Sequence, residues 1–155
     1  MNHSYTKKQM GDACEMLVAS ELTLAGVPAL KVPDCWPGYD VIAQQPGGVA
    51  AARISVKSRT YKEGAAYVGY QAHDVFDWLA IVLLNCPPDQ RRRIFLIPRE
   101  VADAHARRDR ETAETAAERY FSIAEAPTIF ADYENNFELQ DSGLCAVAVP
   151  RRRRA

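Results

Sequence analysis

Gly38-Tyr39-Asp40-Val41-Ile42-Ala43 and Arg53-Ile54-Ser55-Val56-Lys57-Ser58-Arg59 are the two stretches whose reading decides the fold. Each has an apolar, β-branched centre broken by a charge, Asp40 in the first and Lys57 in the second. Gly47-Gly48 lies between them, and two such runs joined by a Gly-containing loop read as a hairpin. Antiparallel pairing brings the start of the first strand beside the end of the second. Asp40 and Lys57, 17 positions apart in the chain, are therefore expected to converge at one edge of a sheet.

Working outward, Met10, Cys14, Leu17, Val18, Leu22 and Leu24 fall mostly at helical spacing. Ser4 or Thr6 can cap the start of this helix and Gly26 its end. Glu15 stands one position from its apolar stripe. Glu21 lies six residues further on and points elsewhere, so the two cannot share one metal. Pro28 to Val32 is a short strand candidate, and the Pro33–Gly38 loop delivers Asp40. Beyond the hairpin, Thr60 to Ala72 is polar and is assigned no element. Asp77–Leu84 and Ile94–Ile97 are continuous apolar runs, as strands buried on both faces should be, with a turn over residues 85–90. Residues 99–121 are rich in Ala, Arg and Glu and read as helix. Thr128 to Val149 is expected to add a further short strand. The expected architecture is α/β, a mixed central β-sheet flanked by helices.

These elements, in this order, resemble the PD-(D/E)xK nuclease superfamily in its small prokaryotic endonuclease-like branch. Met10-Gly11-Asp12-Ala13-Cys14-Glu15 is similar to the Gly-x-x-x-Glu of that family's first helix. Phe76–Val82 and Arg93–Pro98 resemble its last two core strands. The resemblance covers about residues 9–100 and implies a restriction-endonuclease-like αβββαβ core. Residues 101–150 would extend one domain spanning 1–150, and 151–155 would form a basic tail. What the resemblance implies chemically is Mg²⁺- or Mn²⁺-dependent phosphodiester hydrolysis on DNA. Asp40 and the Val56 backbone carbonyl would bind the metal, Glu15 would complete its shell, and Lys57 would orient water and stabilise negative charge on the phosphate. Ser58 and Arg59 would contact phosphates, solvent exposure being the equal alternative. Gln71 would be a polar residue on a following helix. A homodimer is the expectation, because cutting two strands is simplest with two sites.

One departure stands out. The family usually places Glu, Asp or Gln two residues before the lysine, and this chain has Ser55. A neutral hydroxyl is a poor ligand for a hard divalent cation. Ser55 still shares a strand face with Lys57 and could hydrogen-bond a metal-bound water, or it could mark a degraded site. Each residue also has an ordinary structural reading. An Asp after Gly38 is a common turn residue, a strand-end lysine is commonly solvated, and Glu15 as a first-turn helix acid is favoured by the dipole. Asp40 and Lys57 together are what favours chemistry.

Length and composition agree with a soluble globular chain. The 155 residues are 48% hydrophobic and 25% charged, and they suffice for one continuous core. There is no run of 18 or more apolar residues, hence no expected membrane span. Met1–Lys8 has no apolar segment behind its charges, so a cytoplasmic location is expected. Cys14, Cys35, Cys86 and Cys145 form no Cys-x-x-Cys pair, which argues against a zinc or redox motif. Cys14 and Cys86 read as small core residues. His3, His73 and His105 make no spaced metal cluster.

Charge is unevenly spread. Residues 1–99 hold 11 Lys/Arg against 9 Asp/Glu, residues 100–141 hold 4 against 11, and residues 142–155 hold 4 against none. The proposed core is mildly basic, and local charge governs attraction to phosphates. Arg91-Arg92-Arg93 reads as a solvated turn and the Arg151–Arg154 run as a basic tail. Two other classes remain in view. A nucleic-acid-binding or assembly module with a vestigial site is favoured by Ser55. An interaction protein unrelated to nucleic acid is supported only by the acidic segment Glu100–Asp141.

Overall fold

The first helix, α1 (Lys7–Leu24), starts at a reciprocal cap. The Thr6 hydroxyl accepts the Gln9 N–H at 3.1 Å while the Gln9 side-chain carbonyl accepts the Thr6 N–H at 2.9 Å, satisfying two donors that a helix start leaves orphaned. Gly26, at φ +94°, turns the chain out of the helix in a conformation that side chains resist. Cys14, Val18, Ala19 and Leu22 form the buried stripe. The structure, a computed structural model, describes residues 4–141; Cys145, His3 and the arginines at 151–154 lie outside them.

Five strands follow: β1 (Ala29–Lys31), β2 (Val41–Ala43), β3 (Ala52–Thr60), β4 (Tyr67–Gln71) and β5 (Trp78–Cys86). Then come β6 (Arg91–Pro98), α2 (Arg99–His105), β7 (Glu118–Ser122), α3 (Ala126–Ile129) and a single 3₁₀ turn at Ala131–Tyr133. The main sheet runs β1-β2-β3-β5-β6, and β4 pairs with β7 in a separate two-stranded sheet. β2 and β3 are the expected antiparallel hairpin, with Val41 opposite Ile54 and Ala43 opposite Ala52. β3 and β5 are parallel, from Ile54 opposite Trp78 to Thr60 opposite Leu84. Arg53 fixes the start of that pairing: its guanidinium meets both Asp77 oxygens at 2.9 and 3.0 Å, and its own N–H donates to Asp77 Oδ2 at 2.9 Å.

β5 is buried on both faces for most of its length, as its unbroken apolar run requires. One face packs Ala80 and Val82, with Ile54, Val56, Val41 and Leu96, beneath α1. The other packs Leu79, Ile81 and Leu83, with Phe95 and Ile97, against β4, β7, α2 and α3. On that second face Phe121 stacks edge-on to Phe130 at 5.0 Å, and Tyr70 edge-on to Phe76 at 5.1 Å. Arg99 ties the crossover down. It lies 4.1 Å over the Phe76 ring and donates to the carbonyls of Asp74 and Ala72 at 2.6 and 3.0 Å.

The mixed α/β architecture is as expected, with three departures in detail. The connection between β3 and β5, where the αβββαβ pattern has a helix, carries strand β4. Residues 99–121 are helical only over Arg99–His105. Glu118–Ser122 is a strand, because Tyr120 and Phe121 lie in period-two alternation opposite Gly69 and Val68, and a paired β-ribbon with one buried face outweighs the helix propensity of the alanines before it. Within Thr128–Asp141 the chain forms the end of α3 and the 3₁₀ turn, and only an isolated bridge joins Glu134 to Phe95; residues 142–149 lie outside the described part. Among the described residues no helix is long and apolar enough to cross a membrane.

Gly69 permits the β4–β7 ribbon to close. A Cβ there would lie 2.3 Å from the Arg119 carbonyl oxygen and 3.0 Å from Tyr120 Cβ, and the first of these is backbone that cannot swing aside. Gly69→Ala should therefore destabilise the protein by about 1–3 kcal/mol, the usual cost of an inserted methyl in a packed site. Urea unfolding should show a lower midpoint at unchanged m-value; an unchanged midpoint would show that the ribbon yields freely.

Candidate functional site

The site grows from the place where β2 ends. Ile54 accepts the Asp40 N–H at 2.9 Å, so Asp40 sits level with Ser55, one step beyond the last paired residue of β2. The next inward-facing donor of β3, the Val56 N–H, meets the Asp40 carboxylate instead of a strand partner, at 2.7 Å. Backbone N–H and C=O of one residue leave a strand on the same side. Arg53 C=O faces β5, where it accepts the Asp77 N–H, and Ile54 C=O faces β2. By that alternation the Val56 carbonyl also points toward the Asp40 edge. Asp40 and the Val56 carbonyl thus share one corner, and Asp40 keeps its second carboxylate oxygen for another partner.

Glu15 lies well inside α1, beyond its first turn, and faces the same corner. Its carboxylate is about four-fifths buried and 3.1 Å from Lys31 Nζ. Glu15, Asp40, Asp12, Asp34 and Lys8 line a cleft of about 190 Å³ between α1 and the Val32–Asp34 segment. Asp12, Glu15 and Asp34 each offer an oxygen within 4.8 Å of the others. Two lysines hold this acidic group: Lys31 bridges Glu15 to Asp34, the latter at 2.7 Å, and Lys8 bridges Asp12 at 3.1 Å to Asp34 at 2.7 Å. Four carboxylates face two ammonium groups, so the cleft carries an excess of negative charge.

Proton affinities follow this layout. The hydrogen bonds from Lys31 and then Lys8 hold the Asp34 carboxyl down, to about 2. Lys31 is held well above its usual value, chiefly by Asp34 and then by Glu15. With Lys31 committed first to Asp34, it only partly offsets what happens at Glu15. Burial, and then the neighbouring Asp40 charge, push the Glu15 carboxyl above the ordinary carboxylate range against the Lys31 hydrogen bond.

Lys57 follows Val56 and takes the opposite face. Ile54, Val56 and Ser58 pack toward α1, so Ser55, Lys57 and Arg59 project toward β4 and β7. Lys57 and Arg59 line a larger cavity, of about 460 Å³, beneath that ribbon. Among the described residues the Lys57 ammonium makes no ion pair or hydrogen bond with a side chain or carbonyl. The fold therefore brings Asp40, Glu15 and the Val56 backbone to one corner, and puts Lys57 beside it through Val56 but turned to the neighbouring cavity. Asp40 and Lys57 are not joined by a direct ion pair.

Four expectations need correcting. The Asp40 and Lys57 side chains do not converge: Asp40 lines the cleft under α1 and Lys57, by strand alternation, the cavity under the ribbon. Ser58 is buried at 7% exposure on the α1 side, next to the Cys14 thiol, where its hydroxyl presents no surface to a phosphate. Ser55 is also buried, at 3%, so it is a packed strand residue instead of an open ligand. Gln71 ends strand β4, not a helix, and its N–H donates to Asp74 at 2.9 Å. The Lys8–Asp12–Asp34–Lys31 belt was not anticipated. Its local signals are the i,i+4 pair Lys8/Asp12 and the i,i+3 pair Lys31/Asp34; their convergence depends on how α1 packs over β1.

Comparison with protein-family models finds no match, and comparison with curated protein sequences finds none either. Solved structures do match. A bacterial homing endonuclease superposes with a TM-score of 0.55 at 16% identity, covering 88% of this chain and 91% of that one. The Holliday junction resolvase of the archaeal hyperthermophile Archaeoglobus fulgidus superposes with a TM-score of 0.45 at 18% identity, covering 75% and 90% respectively. At such identities the similarity to the homing endonuclease is one of fold, over nearly the whole of both chains.

Proposed function

We propose that this protein is a divalent-metal-dependent DNA endonuclease of the PD-(D/E)xK type. The observation that carries the reading is the Asp40 carboxylate seated on the Val56 N–H, one residue before Lys57 and in one cleft with Glu15. The shared fold with a homing endonuclease agrees with it. The donor set suits a hard cation: two carboxylates and a backbone carbonyl, all oxygen, in a cleft with excess negative charge. Asp40, Glu15 and the Val56 carbonyl would hold Mg²⁺ or Mn²⁺. Such an ion, when bound, lowers the pKa of water and polarises a phosphoryl oxygen. The chain's own groups do the rest. The Val56 N–H fixes the Asp40 carboxylate in orientation, and Glu15, with its raised proton affinity, can accept a proton from an attacking water. Lys57, without an ion-pair partner among the described residues, would donate to a phosphate oxygen at the edge of the larger cavity.

A second reading keeps DNA binding and loses cutting. Ser55 favours it, because a buried hydroxyl stands where the family's second carboxylate would be, and Lys31 already supplies a cation to Glu15. The two readings separate in one experiment. Supercoiled plasmid, linear duplex and a four-way junction are incubated with the protein in Mg²⁺, Mn²⁺ or EDTA. The endonuclease reading expects metal-dependent cleavage that Asp40→Asn and Lys57→Ala each reduce by about 100-fold or more. Cleavage of none of these substrates with either ion, by protein that still binds them, would assign the chain to the second reading.

Metal binding has its own readout in Glu15. Asp40→Asn keeps an acceptor for the Val56 N–H but removes the neighbouring charge, so the Glu15 carboxyl should titrate closer to the ordinary value of about 4.3. Lys31→Ala should move it further up. Because its folded value lies above its unfolded one, ionising Glu15 costs stability, and that cost should appear as pH rises through the interval between the two. Saturating Mg²⁺ should bring the carboxyl down, as followed by carbon-detected NMR titration. A Glu15 resonance indifferent to both Mg²⁺ and Asp40→Asn would remove it from the metal shell.

A further inference from the structure

We infer that Lys31 is the resident counter-ion of the Glu15 carboxylate and competes with a divalent cation for that acid, so that it sets how tightly the cleft under α1 holds the ion. This rests on the nuclease reading and adds to it a residue that controls metal occupancy. The backbone places Lys31 for this. It stands opposite Val41 in the β1–β2 pairing, and Val41 is fully buried beneath α1. Ala29, two residues earlier and on the same strand face, packs against the same core. The Lys31 stem therefore runs along the covered side of β1, and its ammonium meets Glu15 at 3.1 Å, both side chains being only about one-fifth exposed.

The two lysines of the belt differ. Lys8 touches Asp12 and Asp34, and among the described residues Lys31 alone is paired with Glu15. A carboxylate mostly out of water is costly to leave uncompensated, so this ammonium stabilises the cleft when no ion is there. The same contact opposes metal. Mg²⁺ and Mn²⁺ take carboxylate oxygens, and Lys31 already holds Glu15 Oε2. Two cations on one carboxylate repel, the more strongly where water is partly excluded. Lys31 can yield without losing its charge partner, because Asp34 Oδ1 lies 2.7 Å from the same ammonium, the shorter of its two contacts. Its three donors let it turn wholly onto Asp34. Release of Glu15 is thus an exchange within the belt, and no lysine has to be expelled into solvent. The Asp40 carboxylate is fixed by the Val56 N–H, so the exchange falls on Glu15. A lysine that served only as a strut for Glu15 would strengthen ion binding; a competitor weakens it. The sign separates the two.

The test reads Mn²⁺ binding to the whole chain by electron paramagnetic resonance of the free ion. DNA is left out, so cleavage does not enter, and a pH of about 8, well above the carboxylate range, keeps proton competition small. Lys31→Gln and Lys31→Ala should each tighten Mn²⁺ binding about tenfold, because a like charge beside the ion is gone. Lys8→Gln takes the same charge from the same cleft without touching Glu15, and should tighten it by about threefold or less, since the repulsion falls with distance. Lys31→Arg keeps the cation and should stay near wild type. In a Glu15→Gln background Lys31 has no acid to contend for, so Lys31→Gln should lose its effect there. Thermal melting confirms that each variant is folded. Mn²⁺ affinity unchanged or weakened in both Lys31→Gln and Lys31→Ala would overturn the proposal, even if the plasmid is cut. Equal tightening by Lys8→Gln would also overturn it, since net charge would then be the whole effect. So would tightening that persists undiminished without Glu15. The expected pattern in a protein that cuts no DNA would leave the counter-ion standing and sink only the cutting reading.

Discussion

The parallel pairing of β3 with β5 is the constraint from which the rest of the molecule follows. Two adjacent strands running the same way cannot be joined by a tight turn, so the chain must leave the sheet, cross a face and return. Here the excursion spans Tyr61 to Asp77 and is fixed at its end by the Arg53–Asp77 pair. Instead of a helix it carries β4, which is too short to bury its apolar face alone. β7, from much further along the chain at Glu118–Ser122, completes it, and the ribbon then covers the face that α1 leaves open. Each side of the central sheet thus has its own cover, and each cover makes one cleft. The acidic one lies under α1, and one of mixed charge with Tyr67, Tyr70 and Tyr120 lies under the ribbon.

β3 joins these two environments because its residues alternate. Val56 and Lys57 are adjacent in sequence, yet one contributes backbone to the acidic corner and the other an ammonium to the cavity under the ribbon. This separation has an electrostatic reason. Lys57 placed directly on Asp40 would be neutralised there, as Lys31 is on Asp34. Turned to the other face it makes no ion pair among the described residues. The acidic cleft, by contrast, is stabilised internally by Lys8 and Lys31, which hold together carboxylates that would otherwise repel. Half-exposed ion pairs of this kind are individually weak; their value lies in placing Asp12, Glu15 and Asp34 within reach of one another.

How much of this could be read in the sequence depends on the range of each interaction. The hairpin, α1 with its Thr6 cap and Gly26 stop, and the buried β5 and β6 are local patterns of periodicity and turn chemistry, and they were legible. Hairpin pairing placed Asp40 beside β3 but did not bring it together with Lys57, because the alternation along β3 turns Lys57 to the other face. The ribbon was not legible. Tyr67–Gln71 and Glu118–Ser122 are short, and each becomes a strand only because the other is there. The alanine- and glutamate-rich stretch before β7 has a helical composition that tertiary pairing overrides. Lys31 and Asp34 were invisible for a related reason, since their contact with Glu15 depends on how α1 packs over β1.

Ser55 shows where sequence and structure pull in different directions. Read along the strand, it is a missing ligand on the Lys57 face. In the fold it is a buried residue between the Asp77-anchored start of β3 and the Val56 corner, in a position where a carboxylate would be desolvated. The acid that a buried strand position can hold only with a cation beside it is found instead on α1, at Glu15, where the helix surface and a cleft give it partial access to solvent. Glu15 is thus an acid steered by the Lys31 ion pair and not by the backbone of a strand. The acidic corner then depends on the docking of α1 onto the sheet through Cys14, Val18 and Leu22. Any change that loosens that packing should disturb Glu15 before it disturbs Asp40, whose carboxylate is held by the backbone of the same sheet.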